Sequence, residues 1–382
     1  MSVGLKGPMS ADLVWAKVMR PRIPLVYLDL NTIIYIARTL GGHTNVPAGY
    51  AELWKSAVRA KEEKRAMFPL GESHLWEISK ITDPKQRGHL ADILETLSDF
   101  QYLLGRTSIA ELEFEAGIAK VMGEDVTAGS LMLVRPTMGQ VFGRVGGVNI
   151  VDAEGNDVSD SVRVGMSDAE FGALKAKLNY KFERGILRGP SDQDVVALRG
   201  NPGYRPEVAI ASHQSRVGWE LDTERVLNED PKWRHGRLRD VIAAREIVHK
   251  WLYLFTRLRI ERLQAGLPTF DPSGDEMCSF FGSMPHAQVA ISVKTRLHQD
   301  PRHKWTPNDI SDIDAISVAY PYCEAVFPDK AMRAALTNSK ELRSLGTFVP
   351  RRPQDLAEWL DALPGLFAPD MFVPHPLNRS VA

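Results

Sequence analysis

Asp29 follows the apolar run Leu25-Val26-Tyr27-Leu28, and Asn31 stands two residues beyond it. A carboxylate at the C-terminal end of a parallel strand lies where open α/β sheets bind their ligands. The same position also suits the N-cap of a following helix, so Asp29 alone decides nothing. Three further acidic segments add weight. Gly71-Glu72-Ser73-His74-Leu75-Trp76-Glu77 follows a second apolar run, Ala66-Met67-Phe68-Pro69-Leu70. Glu77, one helical turn beyond Ser73 and His74, is preferred there, with Glu72 at the helix start as the alternative. Asn308-Asp309-Ile310-Ser311-Asp312-Ile313-Asp314 opens a helix whose apolar stripe is Ile313, Ile316 and Tyr320. At about 100° per residue, Asp312 sits at the edge of that stripe beside Ile316 and Ala319. Asp314 points roughly 160° away from it, so one compact site takes Asp312 and leaves Asp314 in reserve. Asp309 is the expected N-cap. Last, Phe327-Pro328-Asp329-Lys330 again places an aspartate just after an apolar run.

Carboxylates from Asp29, Glu77, Asp312 and Asp329 meeting in one cleft would repel each other and raise at least one pKa unless a cation were present. An all-oxygen set selects Mg²⁺ or Mn²⁺ over zinc, with Asp29, Asp312 and Asp329 as the expected metal ligands. Cys278 and Cys323, the two cysteines, offer neither a disulfide framework nor a CxxC zinc site. Such ions activate water and stabilise in-line displacement at a phosphodiester. Asn31, His74 and Asp314 are candidates for supporting roles, although a histidine in a helix's first turn is often only a hydrogen-bonded fixture.

The net charge is -1, so a nucleic-acid partner would have to be met by a local basic surface. Lys294, Arg296 and Lys304 in the basic run before the acidic helix, with Lys330, are the expected substrate contacts. Residues 233–263 interleave arginines with Trp233, Trp251, Tyr253 and Phe255. They read as a phosphate-tracking, base-stacking surface or, the preferred reading, as an amphipathic helix with solvated arginines. Gly139 to Gly147 lacks the GKS/T ending of a phosphate loop and reads as a flexible hairpin.

The elements that must position these residues alternate between strand and helix. The runs at 25–28, 66–70, 325–327 and 347–349 read as buried strands, each followed by polar or helix-starting residues. Helices are expected over 32–38, 50–65 and after Pro353. This is an α/β pattern with a parallel sheet and right-handed crossovers. The chain divides into an N-terminal half (1–105), an insertion (106–285) and a C-terminal half (286–382). The insertion is mainly helical, with a glycine-rich, β-prone part at 131–158 and a loop-like stretch at 191–206. No apolar stretch is long enough to span a bilayer, and Met1 to Lys17 hold no leader-like apolar run, so a soluble cytoplasmic protein is expected.

The combination resembles the PIN-like domain family of metal-dependent ribonucleases. The family's first acid resembles Asp29 in Leu28-Asp29-Leu30-Asn31, and its mid-chain helix acid resembles Glu77. Its helix–strand–Asp ending resembles Asp312 through Tyr320-Pro321-Tyr322-Cys323-Glu324-Ala325-Val326-Phe327-Pro328-Asp329. The resemblance covers about the first 100 and the last 100 residues. It implies a three-layer α/β/α parallel sheet, interrupted here by the large insertion. It also implies Mg²⁺- or Mn²⁺-dependent endonucleolytic cleavage of single-stranded RNA, with DNA as the other strand to test, leaving a 5′-phosphate. Toxin or phage-defence roles are common among relatives. Pro328 departs from the pattern, because Thr or Ser is common there. The insertion's role stays open among dimerisation, which would make a homodimer, substrate clamping and autoinhibition. Two other readings compete. A haloacid dehalogenase-type phosphatase also places an aspartate after its first strand, but needs a second aspartate where Asn31 stands. A non-catalytic RNA-binding protein could keep the fold without the chemistry.

Overall fold

The computed structural model describes residues 6, 12–124, 131–144, 149–152, 154–202, 204–365 and 368–375. Its strands are β1 (Val18–Arg22), β2 (Val26–Leu28), β3 (Gln101–Leu103), β4 (Val134–Pro136), β5 (Ala325–Phe327) and β6 (Ala368–His375). The first helices are α1 (Leu30–Leu40), α2 (Tyr50–Glu62), α3 (Glu72–Ser79), α4 (Pro84–Ser98) and α5 (Arg106–Met122). Then come α6 (Ser159–Arg163), α7 (Asp168–Arg188), α8 (Asp192–Arg199), α9 (Pro206–Glu229), α10 (Leu238–Glu246), α11 (Leu252–Gln264) and α12 (Gly274–Gly282). The chain closes through α13 (Pro285–Gln299), α14 (Pro307–Tyr322), α15 (Lys330–Asn338) and α16 (Pro353–Asp361). The fold is mixed α/β and mostly helical.

Every residue of β2 and β5 is buried, and the two pair in parallel with Leu28 opposite Phe327. Their side chains alternate between two cores, as a pleated strand requires. Tyr27 and Val326 pack with Ile313 and Ile316 of α14 and Leu336 of α15. Val26, Leu28, Ala325 and Phe327 pack with Ile33 of α1, Leu53 of α2 and Leu356 of α16. Apolar side chains on both faces explain why these runs lack the polar alternation of a half-exposed strand.

The described strands form three two-stranded pairs, β1–β6 and β3–β4 antiparallel and β2–β5 parallel, instead of one continuous parallel sheet. The runs expected as strands at 66–70 and 347–349 contribute only isolated parallel bridges: Leu25 with Met67, Leu70 with Tyr102, and Ala325 with Phe348. Pro24 and Pro69 lack the N–H that a longer ladder beside β2 would use.

The segment 106–285 supplies most of a third core, including Phe114, Leu227, Ile242, Phe255 and Phe281. Helix α13 joins it to the rest of the molecule. Ala287 and Ile291 face this third core, whereas Val289 and Val293 face the core of Tyr27. The stretch 191–206, expected to be loop, contains α8, because Ser191 and Asp194 form a reciprocal capping box. Residues 233–263 are not one helix: a 3₁₀ turn, α10, a π-helical turn at Ile247–Trp251 and α11 succeed one another. In the glycine-rich stretch, Met138–Phe142 forms a 3₁₀ turn, while 145–147 lie outside the described residues. Of the first seventeen residues only 6 and 12–17 are described. Among the described residues no helix is long and apolar enough to cross a membrane.

Candidate metal centre

Asp29 links β2 to α1 and occupies the N-cap position, yet its carboxylate makes no capping hydrogen bond. It is turned instead toward α14 and α3. The ligand oxygens of Asp29, Glu77 and Asp312 all lie within 4.8 Å of one another. Asp312 reaches them because α14 starts earlier than expected. Thr306 is the N-cap, Pro307 opens the first turn, and Asp309 closes a capping box with Thr306. Asp309 is therefore not the N-cap, and Asp312 lies one turn deeper, at the edge of the core. Glu77 comes from the second turn of α3.

Burial and mutual repulsion push all three carboxyls up. Asp29 is raised to about 6, first by desolvation and then by the charge of Asp329. Glu77 is raised to about 7 by burial and by Asp29, with Lys80 pulling the other way. Asp312 is raised to about 8 by burial, Asp29 and Glu77. Three acids this close, with so little nearby positive charge, keep protons to higher pH than free carboxyls do, and a divalent cation would compete with those protons.

Asp329 is not one of the three clustered acids, although its charge acts on Asp29. One of its oxygens accepts the Met332 N–H at 2.7 Å and caps α15. It still borders the cleft that Asp29 and Asp312 line. Asn31 extends its amide toward Asp29 Oδ2 at 3.4 Å. His74 is not available for catalysis. Its Nδ1 accepts the Gly71 N–H at 2.9 Å, so Nε2 carries the proton and donates to Leu28 O at 2.7 Å. Burial lowers its pKa to about 4 and keeps it neutral. Asp314 is not a site acid either. Arg106 at 3.1 Å and Arg216 at 2.5 Å bind it on the opposite face of α14, holding its carboxyl far below the usual range against the opposing effect of burial. Glu72 lines a separate pocket.

The expected substrate contacts fare unevenly. Lys294 is a correction: it is buried, 3% exposed, and paired with Glu220 and with Glu246 at 2.5 Å. A lysine so enclosed cannot meet a phosphate. Arg296 is held by Asn338 O at 2.7 Å and by Gln299. Lys304 and Lys330 are exposed. The arginines of 233–263 are largely committed to acids, among them Arg234 to Glu224, Arg257 to Glu111 and Arg262 to Glu124. Trp251 and Phe255 are buried, so the amphipathic reading describes this segment better than a stacking surface does.

No family model, curated protein or solved structure matches the chain. What bears on the site's chemistry is therefore its own geometry.

Two neighbours were missed from sequence. Lys80, one turn after Glu77, donates to Asn308 Oδ1 at 3.1 Å and lies 4.8 Å from the Trp76 ring centroid. Its spacing from Glu77 was a legible signal. Tyr27, buried beside the acids, shares a 2.7 Å hydrogen bond with Ser73 Oγ and so ties β2 to the start of α3. Burial and the charge of Asp29 hold its phenol well above the ordinary value.

Proposed function

We propose that the chain is a nuclease of the PIN-like kind that uses Mg²⁺ or Mn²⁺ to hydrolyse phosphodiester bonds in single-stranded RNA. The observation that carries this reading is the triad itself: Asp29, Glu77 and Asp312 come from three distant segments and bring their oxygens within 4.8 Å of one another. The all-oxygen donor set fits a hard cation, and the raised carboxyls fit a site whose mutual repulsion is relieved by protons or by a cation. The fold side of the reading takes β2 and β5 as the centre of a three-layer sheet, extended on its two sides by the bridges at Met67 and Phe348.

A bound ion would supply Lewis acidity, acidifying water and offsetting charge on the scissile phosphate. The chain's own residues do the rest. Asp29, Glu77 and Asp312 would hold the ion at the rim of the core, in competition with the protons that Glu77 and Asp312 retain near neutral pH. The Asn31 amide steadies Asp29, and His74 fixes the end of β2 against the start of α3. Lys80 and Lys330, both exposed and close to site acids in the chain, would be the cations to meet phosphates of the strand.

The test is cleavage of end-labelled single-stranded RNA by the full chain, with single-stranded DNA and a small phosphomonoester alongside. Cleavage should need Mg²⁺ or Mn²⁺ and should fall more than about 100-fold in Asp29→Asn and Asp312→Asn, the scale of losing one transition-state-stabilising group. Equal cleavage in excess EDTA would overturn the proposal. So would phosphate release from the monoester without RNA cleavage.

A further inference from the structure

A second cavity, of about 290 Å³, lies against the acidic centre. The two share Tyr27 and Ala315 as a common wall. Three elements that carry the acids also line this pocket: β2 through Tyr27, α3 through Trp76, and α14 through Ser311 and Asp314. The pocket therefore opens beside the cleft that Asp29 and Asp312 line.

The lining is flat, apolar and aromatic, with polar groups in a few places. Trp76 and His213 of α9 stack face to face, with ring centroids 4.3 Å apart and planes 4° from parallel. Lys80 lies over Trp76 at 4.8 Å, so the ring face left to an entering base is the outer one of His213. Leu75, Leu104 and Phe142 add apolar surface. Glu72 supplies an acceptor. Arg106 lines the pocket, with its Nε on Asp314 at 3.1 Å and its guanidinium carbon 4.8 Å from the Trp251 ring centroid. Arg106 as donor and Glu72 as acceptor are complementary to a planar ligand that presents an acceptor next to donors.

We propose that this pocket takes one unstacked nucleobase of the bound strand, and that guanine is the base it fits. Single-stranded RNA is commonly read this way, by stacking a splayed base on aromatic side chains and hydrogen-bonding its edge. Guanine offers O6 and N7 acceptors to Arg106, and N1–H and N2–H donors to Glu72. Adenine lacks the O6 acceptor, and the pyrimidines cover less of the stack. His213 belongs to the segment 106–285, which gives that segment a role in substrate choice. The inference rests on the nuclease reading for its strand and phosphate, but its binding chemistry can be tested without it.

The experiment has two arms. In EDTA, guanosine, adenosine, cytidine and uridine are titrated into the full chain by calorimetry; nucleosides are used because the metal-free acids would repel a phosphate. Guanosine should bind at least about tenfold tighter than the others, the discrimination expected of a site that hydrogen-bonds its ligand. Ala209→Trp, at an exposed position on α9 lining the pocket, should fill it and abolish binding while leaving the melting temperature unchanged. Glu72→Gln should cut the preference for guanosine about tenfold. With Mn²⁺, a uridine run carrying one guanine should be cut beside that guanine, and Ala209→Trp should remove the preference. Metal-dependent cleavage with no base preference and no response to Ala209→Trp overturns the pocket and leaves the nuclease standing. Guanosine binding lost in Ala209→Trp, with no cleavage of any strand, upholds the pocket and overturns the nuclease. No nucleoside binding by the folded chain overturns the pocket outright.

Discussion

At the residue scale, Asp29, Glu77 and Asp312 make the metal-free centre unfavourable at neutral pH. A carboxyl whose folded pKa lies above its unfolded value opposes folding above both values, and that opposition fades as pH falls through the folded pKa. With folded values of about 6, 7 and 8, the window runs from about pH 8 down toward 5. Lys250 works against this trend, because burial lowers it to about 7 and protonating it is unfavourable. The useful quantity is therefore the difference between the native chain and Asp312→Asn. In EDTA, the urea midpoint of Asp312→Asn should exceed that of the native chain at pH 8.5, and the gap should shrink by pH 5.5. Mg²⁺ or Mn²⁺ should raise the native midpoint at pH 8.5 and not at 5.5, since protons and metal compete for the same oxygens. A gap independent of pH would contradict the raised carboxyls.

At the element scale, the start of α14 decides where Asp312 sits. Thr306 accepts the Asp309 N–H at 3.3 Å, and Asp309 accepts both the Thr306 N–H and its hydroxyl at 2.7 Å. Thr306→Ala should cost about 1 kcal/mol of stability. It should also weaken the metal-induced rise in the urea midpoint, because fraying the first turn loosens Asp312. Equal midpoints for the two chains, with and without metal, would show that the cap holds nothing. The sequence carries two signals for the start of α14, Thr306-Pro307-x-Asp309 as a capping box and Asp309 as an N-cap, and the structure uses the first. Elements fixed by local pattern were legible: β2 and β5 from unalternating apolar runs, α1 from the helix-forming run after Asp29, and α16 from Pro353. The choice of Asp312 over Asp314 came from helical rotation alone. Properties set by distant partners were not legible. Met67 and Phe348 lie beside strands but make one bridge each, and nothing near Trp76 in sequence announces the His213 ring stacked on it. Lys294 looked like surface because a basic run usually is surface. Its burial depends on Glu220 and Glu246, which arrive from α9 and α10.

At the scale of the whole molecule, those acids belong to a chain of buried charge that ties the segment 106–285 to the two helices preceding β5. Lys294 of α13 binds Glu220 and Glu246, and Lys250 contacts Glu246 at 3.1 Å and Asp314 of α14 at 3.5 Å. His298 continues the line to Glu220 and Glu224, where Arg234 closes it at 2.5 Å. The two lysines hold the Glu246 carboxyl at about 2 despite its burial. Removing one partner from such a network leaves an uncompensated buried charge, which costs about 3–5 kcal/mol. Lys294→Met should therefore lower the urea midpoint sharply. Lys250 can still serve Glu246, so the damage falls mainly on Glu220. Adding Glu220→Gln to Lys294→Met should recover part of the loss by removing the stranded charge, a response that a simple packing defect would not give. The salt dependence of RNA binding should be the same in native and Lys294→Met chains, because the lysine never reaches a phosphate. Unchanged stability, together with a salt slope shallower by about one, would instead place Lys294 on the nucleic-acid surface.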